Sequence, residues 1–344
     1  MRVECGVSAA FVGGIFLLGS GMGFAQDTIF QDGFESGDVS AWSSVVASNI
    51  FVLPFGGPEQ TRIWRFDPIV KQTDIFFNVD TTGSMGGVIA NLKSGLSTII
   101  ASTLTQVEDP AFGVGAFDDF PVSPFGDSAS GDVPFRLLQG VTTDMPAVQT
   151  AVDALDLHGG ADFPESGFEA LFQVAVGSGI SGGTAYYLPP LTTAGRIGGA
   201  QFRIGSLPLA LHITDALAHD ASTPCSPDGG PCQWNSDYPS SYNDHSKIEA
   251  LGALQAIDAR VITIQPLHDS PWSGYNQVVT DQTQEISVMT EAVVPVCVFK
   301  TDAVNWRCGA NTCCDGTIMV GNNCILRYTI TSNGAGFSEA VIDG

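Results

Sequence analysis

DIFFNVDTTGSM, residues 74–85, is the stretch of this sequence that decides its fold. Its first six residues are an almost continuous apolar run, which is the pattern of a strand buried on both faces of a sheet. Val88–Leu104 follows with apolar residues at helical spacing. Between the strand and the helix, Asp80, Thr82 and Ser84 stand at alternate positions, so their oxygen atoms can converge on one point.

The same alternation of strand, loop and helix continues along the chain. Further strands are predicted at Phe112–Phe117, Leu209–Thr214, Val261–Ile264 and Val293–Phe299. Helices are predicted at Met145–Leu155, Phe168–Val176, Ser246–Ile257 and Val278–Ile286. This order predicts an α/β fold, a doubly wound and mostly parallel sheet flanked by helices. In such folds ligands bind beyond the carboxyl ends of the strands.

Two more polar clusters fall at predicted strand or helix ends. Asp162-Phe163-Pro164-Glu165 directly precedes a helix, and Asp215 directly follows the strand Leu209–Thr214. Carboxylate and hydroxyl oxygens are the ligands that Mg²⁺, Mn²⁺ and Ca²⁺ prefer. An Asp-x-Thr-x-Ser turn alone is also explained by ordinary helix capping. Three clusters at one predicted sheet edge favour a divalent-metal site.

DIFFNVDTTGSM and the helix after it resemble the first strand and metal-ion-dependent adhesion site of von Willebrand factor A domains. Within that superfamily the chain is most similar to the I-like domain of integrin beta subunits. The likeness covers roughly residues 72–290. Its supporting stretches are Phe112–Phe125 (FGVGAFDDFPVSPF), Asp162–Val176 (DFPESGFEALFQVAV) and His212–His219 (HITDALAH).

The resemblance implies a primary Mg²⁺ or Mn²⁺ site whose coordination is completed by a carboxylate of a protein partner. The residues around this ion would be Asp80, Thr82, Ser84, Glu165 and Asp215. A second site, for Ca²⁺, would use Asp119, Asp162, the Pro164 carbonyl and Glu165. Gly160 stands where this second site usually has an asparagine, which weakens it. Gly86 and Gly87 replace the acids of a third family site, so no third ion is expected.

Composition and the chain ends set the cellular context. The 36 acidic and 13 basic residues give a formal net charge of -23, which argues against nucleic acid or an anionic membrane as partner. Residues 1–25 are predicted to be a signal peptide, with an uncleaved membrane anchor as the alternative. Residues 26–71 form an appendage with the motif FQDGFESGD. Residues 291–344 hold the last strand and a cysteine-rich end, for which disulfides are expected. Truncation of a longer protein is one explanation for the odd number of cysteines in the mature chain.

These observations predict a non-enzymatic adhesion domain that is secreted, periplasmic or displayed on the cell surface. Trp234 and Tyr238 follow Asp215 and are the candidate contacts for a partner. A structural module of a larger exported protein is the first alternative, and a metal-assisted hydrolase is the second. The sequence offers that hydrolase no clear general base. Gly179–Gly183 matches G-x-S-x-G, but it follows a helix and is predicted to be a loop.

Overall fold

The structure is a computed structural model, and it describes residues 3–9, 60–66, 72–220, 237–268, 274–295, 319–320 and 323–343. The chain divides into two units, Arg2–Phe66 and Asp67–Gly344. In the first unit, β1 (Val3–Ala9) pairs antiparallel with β2 (Gln60–Phe66). The remainder of the predicted signal peptide and appendage lies outside the described residues.

The second unit contains the predicted alternation of strands and helices. Its strands are β3 (Gln72–Asp80), β4 (Asp109–Phe117), β5 (Arg136–Thr142), β6 (Arg196–Ile197), β7 (Phe202–Arg203), β8 (Leu207–Ile213), β9 (Arg260–Pro266), β10 (Val293–Pro295), β11 (Met319–Val320), β12 (Asn323–Ile325) and β13 (Arg327–Ile330). Its helices are α1 (Gly86–Gln106), α2 (Met145–Asp153), α3 (Gly167–Ala175), α4 (Lys247–Ala256), α5 (Tyr275–Met289) and α6 (Phe337–Asp343). None of the described helices combines the length and apolar character needed to cross a membrane.

Six strands form the main sheet, in the order β13-β9-β8-β3-β4-β5. Every neighbouring pair is parallel except β4 and β5, which are antiparallel. This arrangement confirms the predicted α/β fold with a mostly parallel sheet. Because β3 is central, both of its faces are buried, and apolar residues are required on both. Phe76 packs in one core cluster and Phe77 in the other. The face of Phe77 is covered by α1, α2 and α6, and that of Phe76 by α3 and α4.

Two edge strands differ from the prediction. The stretch predicted as the last strand, Val293–Phe299, enters a small antiparallel sheet with Asn323–Ile325 as far as Pro295. The remainder of that stretch lies outside the described residues. The main sheet instead takes its edge from β13, which pairs in parallel with β9. β13 was missed because it has only four residues and begins with Arg327, which breaks its apolar pattern although it is buried.

Gly87, near the start of α1, lies against the turn that connects β13 to α6. A Cβ atom at this position would come within 2.7 Å of the backbone carbon and oxygen of Asn333. Backbone atoms cannot move aside without shifting the turn, so only glycine fits here. Gly87 therefore has a packing role. It brings the first helix of this unit against its last turn.

Replacing Gly87 with alanine should destabilise the fold by about 1–3 kcal/mol because the new methyl group overpacks against backbone. Gly252, in the interior of α4, is the matched control, since a Cβ there meets no atom within 4 Å. Gly252→Ala should stabilise the protein by roughly 0.5–1 kcal/mol through helix propensity. Urea unfolding of both variants measures the difference. Equal effects of the two substitutions would contradict the close approach at Gly87.

His245 links the segment before α4 to α3. Its ring stacks on Phe172 with centroids 3.5 Å apart, and its Nδ1 lies 2.9 Å from Oε2 of the buried Glu169. Burial alone would lower the pKa of His245, but the hydrogen bond and charge of Glu169 outweigh it and raise that pKa. The charges of Glu249 and Asp244 act in the same direction.

Because the folded pKa of His245 is raised, its ion pair contributes stability in full below the unfolded value of about 6.5. That contribution is lost as the pH rises through the folded pKa. We expect His245→Asn to cost on the order of 1 kcal/mol at pH 6, after allowance for the partial exposure of the ring. The deficit should shrink as the pH is raised toward 9. Urea unfolding across that range tests this, and a deficit that does not change with pH would exclude the ion pair.

Candidate metal centre

Three loops meet at the carboxyl ends of β3 and β8. Asp80 is the last residue of β3, and Asp215 follows β8 by two positions. The loop before α3 is joined to the loop after β8 by two backbone hydrogen bonds. The Glu165 N–H donates to the Leu217 carbonyl at 2.6 Å, and the His219 N–H donates to the Glu165 carbonyl at 3.0 Å. The sheet topology therefore brings all three predicted clusters to one edge.

Asp80 is the centre of the first group of side chains. It is fully buried, and its Oδ1 accepts hydrogen bonds from the Thr82 N–H at 2.9 Å and the Thr82 hydroxyl at 2.7 Å. Its Oδ2 accepts from the Thr214 hydroxyl at 2.7 Å. Ser84 donates its hydroxyl to Asp215 Oδ1 at 2.9 Å. The alternating Asp-x-Thr-x-Ser pattern thus directs three side chains toward the same loops.

Glu165 lies in the same group, because it and Thr82 are both close to Gly160. A Cβ atom on Gly160 would lie 2.9 Å from Glu165 Oε1 and 3.3 Å from the methyl carbon of Thr82. Gly160 also has a φ of +69°, a conformation that L side chains rarely adopt. The glycine at position 160 is predicted to weaken the second ion site because it lacks the usual asparagine side chain. In the structure a side chain at this position would collide with Glu165 and Thr82.

Burial raises the pKa values of the three carboxylates, and repulsion adds to the rise at Asp80 and Glu165. Burial, then the charge of Asp215, raises the pKa of Asp80 to about 7. Burial raises the pKa of Asp215 to about 6. Burial, then the charge of Asp80, raises the pKa of Glu165 well above its usual range. Each shift means that the ionised carboxylate is unfavourable where it stands.

No basic side chain of the described residues forms an ion pair with Asp80, Glu165 or Asp215. Glu165 Oε2 is buried and accepts no hydrogen bond from the described part of the chain. Buried charges in proteins are paired with an opposite charge or bind a metal. The donor set of carboxylates and hydroxyls fits a hard dication such as Mg²⁺.

A second group lies beside the first. Asp119 Oδ2 is 3.4 Å from His219 Nε2, and Asp162 Oδ1 is 3.6 Å from the same nitrogen. One ligand atom from each of these residues can lie within 4.8 Å of the other two. The sequence named Asp119, Asp162 and Pro164 for this place but missed His219. The sequence feature that could have identified His219 is its position, four residues after Asp215 in the same loop. Pro164 is buried, and the role of its carbonyl stays a prediction.

Aromatic rings form one wall of this second group. Tyr238 donates its hydroxyl to Asp119 Oδ1, and its ring lies 4.2 Å from that of His219 and 4.7 Å from that of Phe120. Tyr238 is only 7% exposed, so most of its surface faces the protein. Its predicted contact with a partner stays a prediction. Trp234 lies outside the described residues.

Two further buried acids tie the site loops together, although no sequence motif pointed to either of them in this role. Asp118 contacts side chains of two different loops: it accepts from the Thr81 hydroxyl at 2.5 Å and lies 3.2 Å from His158 Nδ1. Asp132 accepts from the backbone N–H groups of Asp127, Gly159 and Gly160 at 2.7, 2.9 and 3.1 Å. Asp132 therefore fixes the backbone of the loop that contains Gly160.

Asp132→Ala should cost about 2–4 kcal/mol, because three backbone N–H groups lose a charged acceptor that is itself buried. Asp127→Ala is the control in the same turn. Asp127 is exposed, and among the described residues its side chain accepts only from the Ala129 N–H and the Ser130 hydroxyl. Its own N–H remains available to Asp132. We expect it to cost less than about 1 kcal/mol. Urea unfolding compares the two, and similar losses would show that Asp132 holds nothing beyond its own turn.

No protein-family profile and no curated protein matches the chain. Solved structures give matches at low identity. The pilus adhesin SpaC from Lactobacillus rhamnosus GG matches at 14% identity and a TM-score of 0.41, over 79% of this chain and 31% of the adhesin. Its open conformation matches at 13% and 0.41, over 79% and 30%. Proximal thread matrix protein 1 from the mussel byssus matches at 10% and 0.30, over 57% and 36%. The matches thus span about a third of the length of these proteins.

Proposed function

We propose that residues 72–290 contain a von Willebrand factor A-type domain, most similar to the integrin beta I-like domain, that binds a protein partner through a divalent cation. The observation that carries this proposal is the set of buried carboxylates Asp80, Glu165 and Asp215. They meet at the carboxyl edge of the sheet, and no basic group of the described residues balances their charge. A dication there would stabilise the ionised carboxylates, whose pKa values are raised chiefly by burial.

The exposure of the site supports binding of a partner from one side. Asp80 and Thr82 are buried, whereas Gly83 and Ser84 are exposed. An ion held by these oxygens would have its remaining coordination position on the solvent side. A hard dication binds carboxylate oxygen strongly, so an Asp or Glu side chain of a partner is the ligand of choice. This is binding chemistry and needs no catalytic base.

The cellular context completes the proposal. The predicted signal peptide at residues 1–25 and the net charge of -23 suit an exported protein that is secreted, periplasmic or held at the cell surface. The cysteine-rich segment suits the same setting because disulfides persist outside the cytoplasm. Cys324 of this segment is buried and disulfide-bonded.

Metal binding is tested by thermal unfolding in Mg²⁺, Mn²⁺ or Ca²⁺ against chelator. We expect a stability gain of about 2.7 kcal/mol when the ion is at 100 times its Kd. Asp80→Asn keeps the shape of the side chain but should abolish the gain. In chelator this variant should unfold at or above the wild-type temperature, because a buried repulsive charge is gone.

Asp109→Asn is the matched control for that experiment. Asp109 lies at the opposite end of the sheet and pairs with Arg203 at 2.9 Å. This variant should keep the full gain from metal. If the wild type unfolds at the same temperature in metal and in chelator, the metal site is excluded and the domain becomes a structural module.

Partner binding is tested with a displayed library of random peptides, selected on the immobilised protein in Mg²⁺ and eluted with chelator. We expect enrichment of peptides with an Asp or Glu whose change to Asn or Gln abolishes binding. Protein with Asp80→Asn should select none of them. Enriched peptides that bind equally in chelator would contradict the proposal.

A further inference from the structure

Asp119, Asp162 and His219 bring two carboxylates and one imidazole to a single point beside the primary site. Asp119 is fully buried, and the side chains of His219 and Asp162 are 1% and 12% exposed. The three come from three different loops, after β4, before α3 and after β8. The topology that builds the primary site therefore builds this second group as well.

The distances from His219 Nε2 to the two carboxylate oxygens are those expected between ligand atoms of one coordination shell. A hydrogen bond between a charged nitrogen and a carboxylate is about 2.7–2.9 Å long, whereas His219 Nε2 lies 3.4 and 3.6 Å from its two carboxylate oxygens. Ligand atoms bonded to one dication at about 2.1 Å are separated by roughly 3.0 Å at right angles and 3.4 Å at tetrahedral angles. His245 gives the internal comparison, since its nitrogen approaches Glu169 to 2.9 Å.

The surrounding groups orient these ligand atoms. Asp119 Oδ1 accepts from the Phe120 N–H at 2.5 Å and from the Tyr238 hydroxyl, which leaves Oδ2 directed at His219. The His219 ring is fixed edge-on to Phe125, with centroids 5.1 Å apart. Supporting contacts of this kind fix ligand orientation in metal sites.

Glu165, a member of the primary group, also lies next to this second group of acids. Its Oε2 atom is buried without a hydrogen-bond donor among the described residues. The charges of Asp119 and Asp162 act on this carboxylate in addition to that of Asp80. Glu165 thus stands between the two groups and can serve either ion.

We propose that Asp119, Asp162 and His219 form a mixed nitrogen–oxygen site for a transition-metal dication of the zinc class, in place of the all-oxygen calcium site implied by the resemblance. Ca²⁺ takes oxygen ligands, whereas imidazole nitrogen suits zinc, nickel and copper. Gly160 has no side chain with which to supply the further oxygen of a calcium site. The inference extends the proposed metal-dependent function, but its ligands do not include Asp80.

Zinc binding is measured by equilibrium dialysis on protein with free thiols blocked, in the Asp80→Asn background that removes the primary site. We expect one zinc per chain in this background. Adding His219→Gln should weaken zinc binding at least tenfold, and adding Asp162→Asn should have a similar effect. Asp162 is partly exposed, so its variant keeps the test valid if the His219 variant does not fold, as judged by circular dichroism.

His245→Gln is the matched control, since it removes another largely buried histidine that contacts a carboxylate. It should leave the zinc affinity unchanged. Cobalt absorption gives a second readout, because the visible bands of bound Co²⁺ should be altered by His219→Gln and not by His245→Gln. Failure of Asp80→Asn alone to bind zinc, or undiminished binding after His219→Gln, overturns the inference. Neither result touches the primary site, which is tested separately by Mg²⁺ and Asp80.

Discussion

Burial of three carboxylates at one edge of the sheet is the constraint around which the carboxyl-edge loops are arranged. Asp80 closes the central strand, and Asp215 and Glu165 reach the same place from neighbouring loops. Three acids held this way oppose folding unless they are protonated or bind a cation. The fold provides the apolar sheet and helices that hold them there, so the stability of the scaffold and the need for an ion are connected.

The loops are held by other acids that are not among the proposed metal ligands. Asp118 and Asp132 accept hydrogen bonds from several loops at once, and Asp74 does the same at the opposite end of the sheet by binding Arg203. The acidic residues of this part of the chain thus serve two purposes. Some organise backbone through several hydrogen bonds, whereas Asp119, Asp162 and Glu165 each keep one buried oxygen that accepts no hydrogen bond from the described residues.

The sequence predicted the fold class and the convergence of Asp80, Glu165 and Asp215 because both follow from local patterns and from topology. Apolar periodicity marks long buried strands and helices, and parallel strands bring their carboxyl ends to one edge. Short edge strands are harder. β5 pairs with β4 in an irregular register. β13 begins with a buried arginine that donates hydrogen bonds to neutral side chains. Neither strand therefore has a regular alternation of apolar residues that the sequence would reveal.

His219 and Asp132 could not be assigned for a different reason. Each acts through contacts with residues far along the chain, and no spacing motif records such contacts. His219 meets Asp119 from a loop one hundred positions away, and Asp132 meets Gly159 across a β-strand and a helix. Long-range pairing of this kind is visible only once the loops are placed together.

The contact between Gly87 and Asn333 has a consequence for how the protein is made. It joins the helix that begins just after Ser84 to a turn near the end of the described chain, after the edge strand β13 has been added. Contacts between such distant residues form late and slow the folding reaction. During synthesis, the start of α1 therefore stays without its final support until the last strand has left the ribosome.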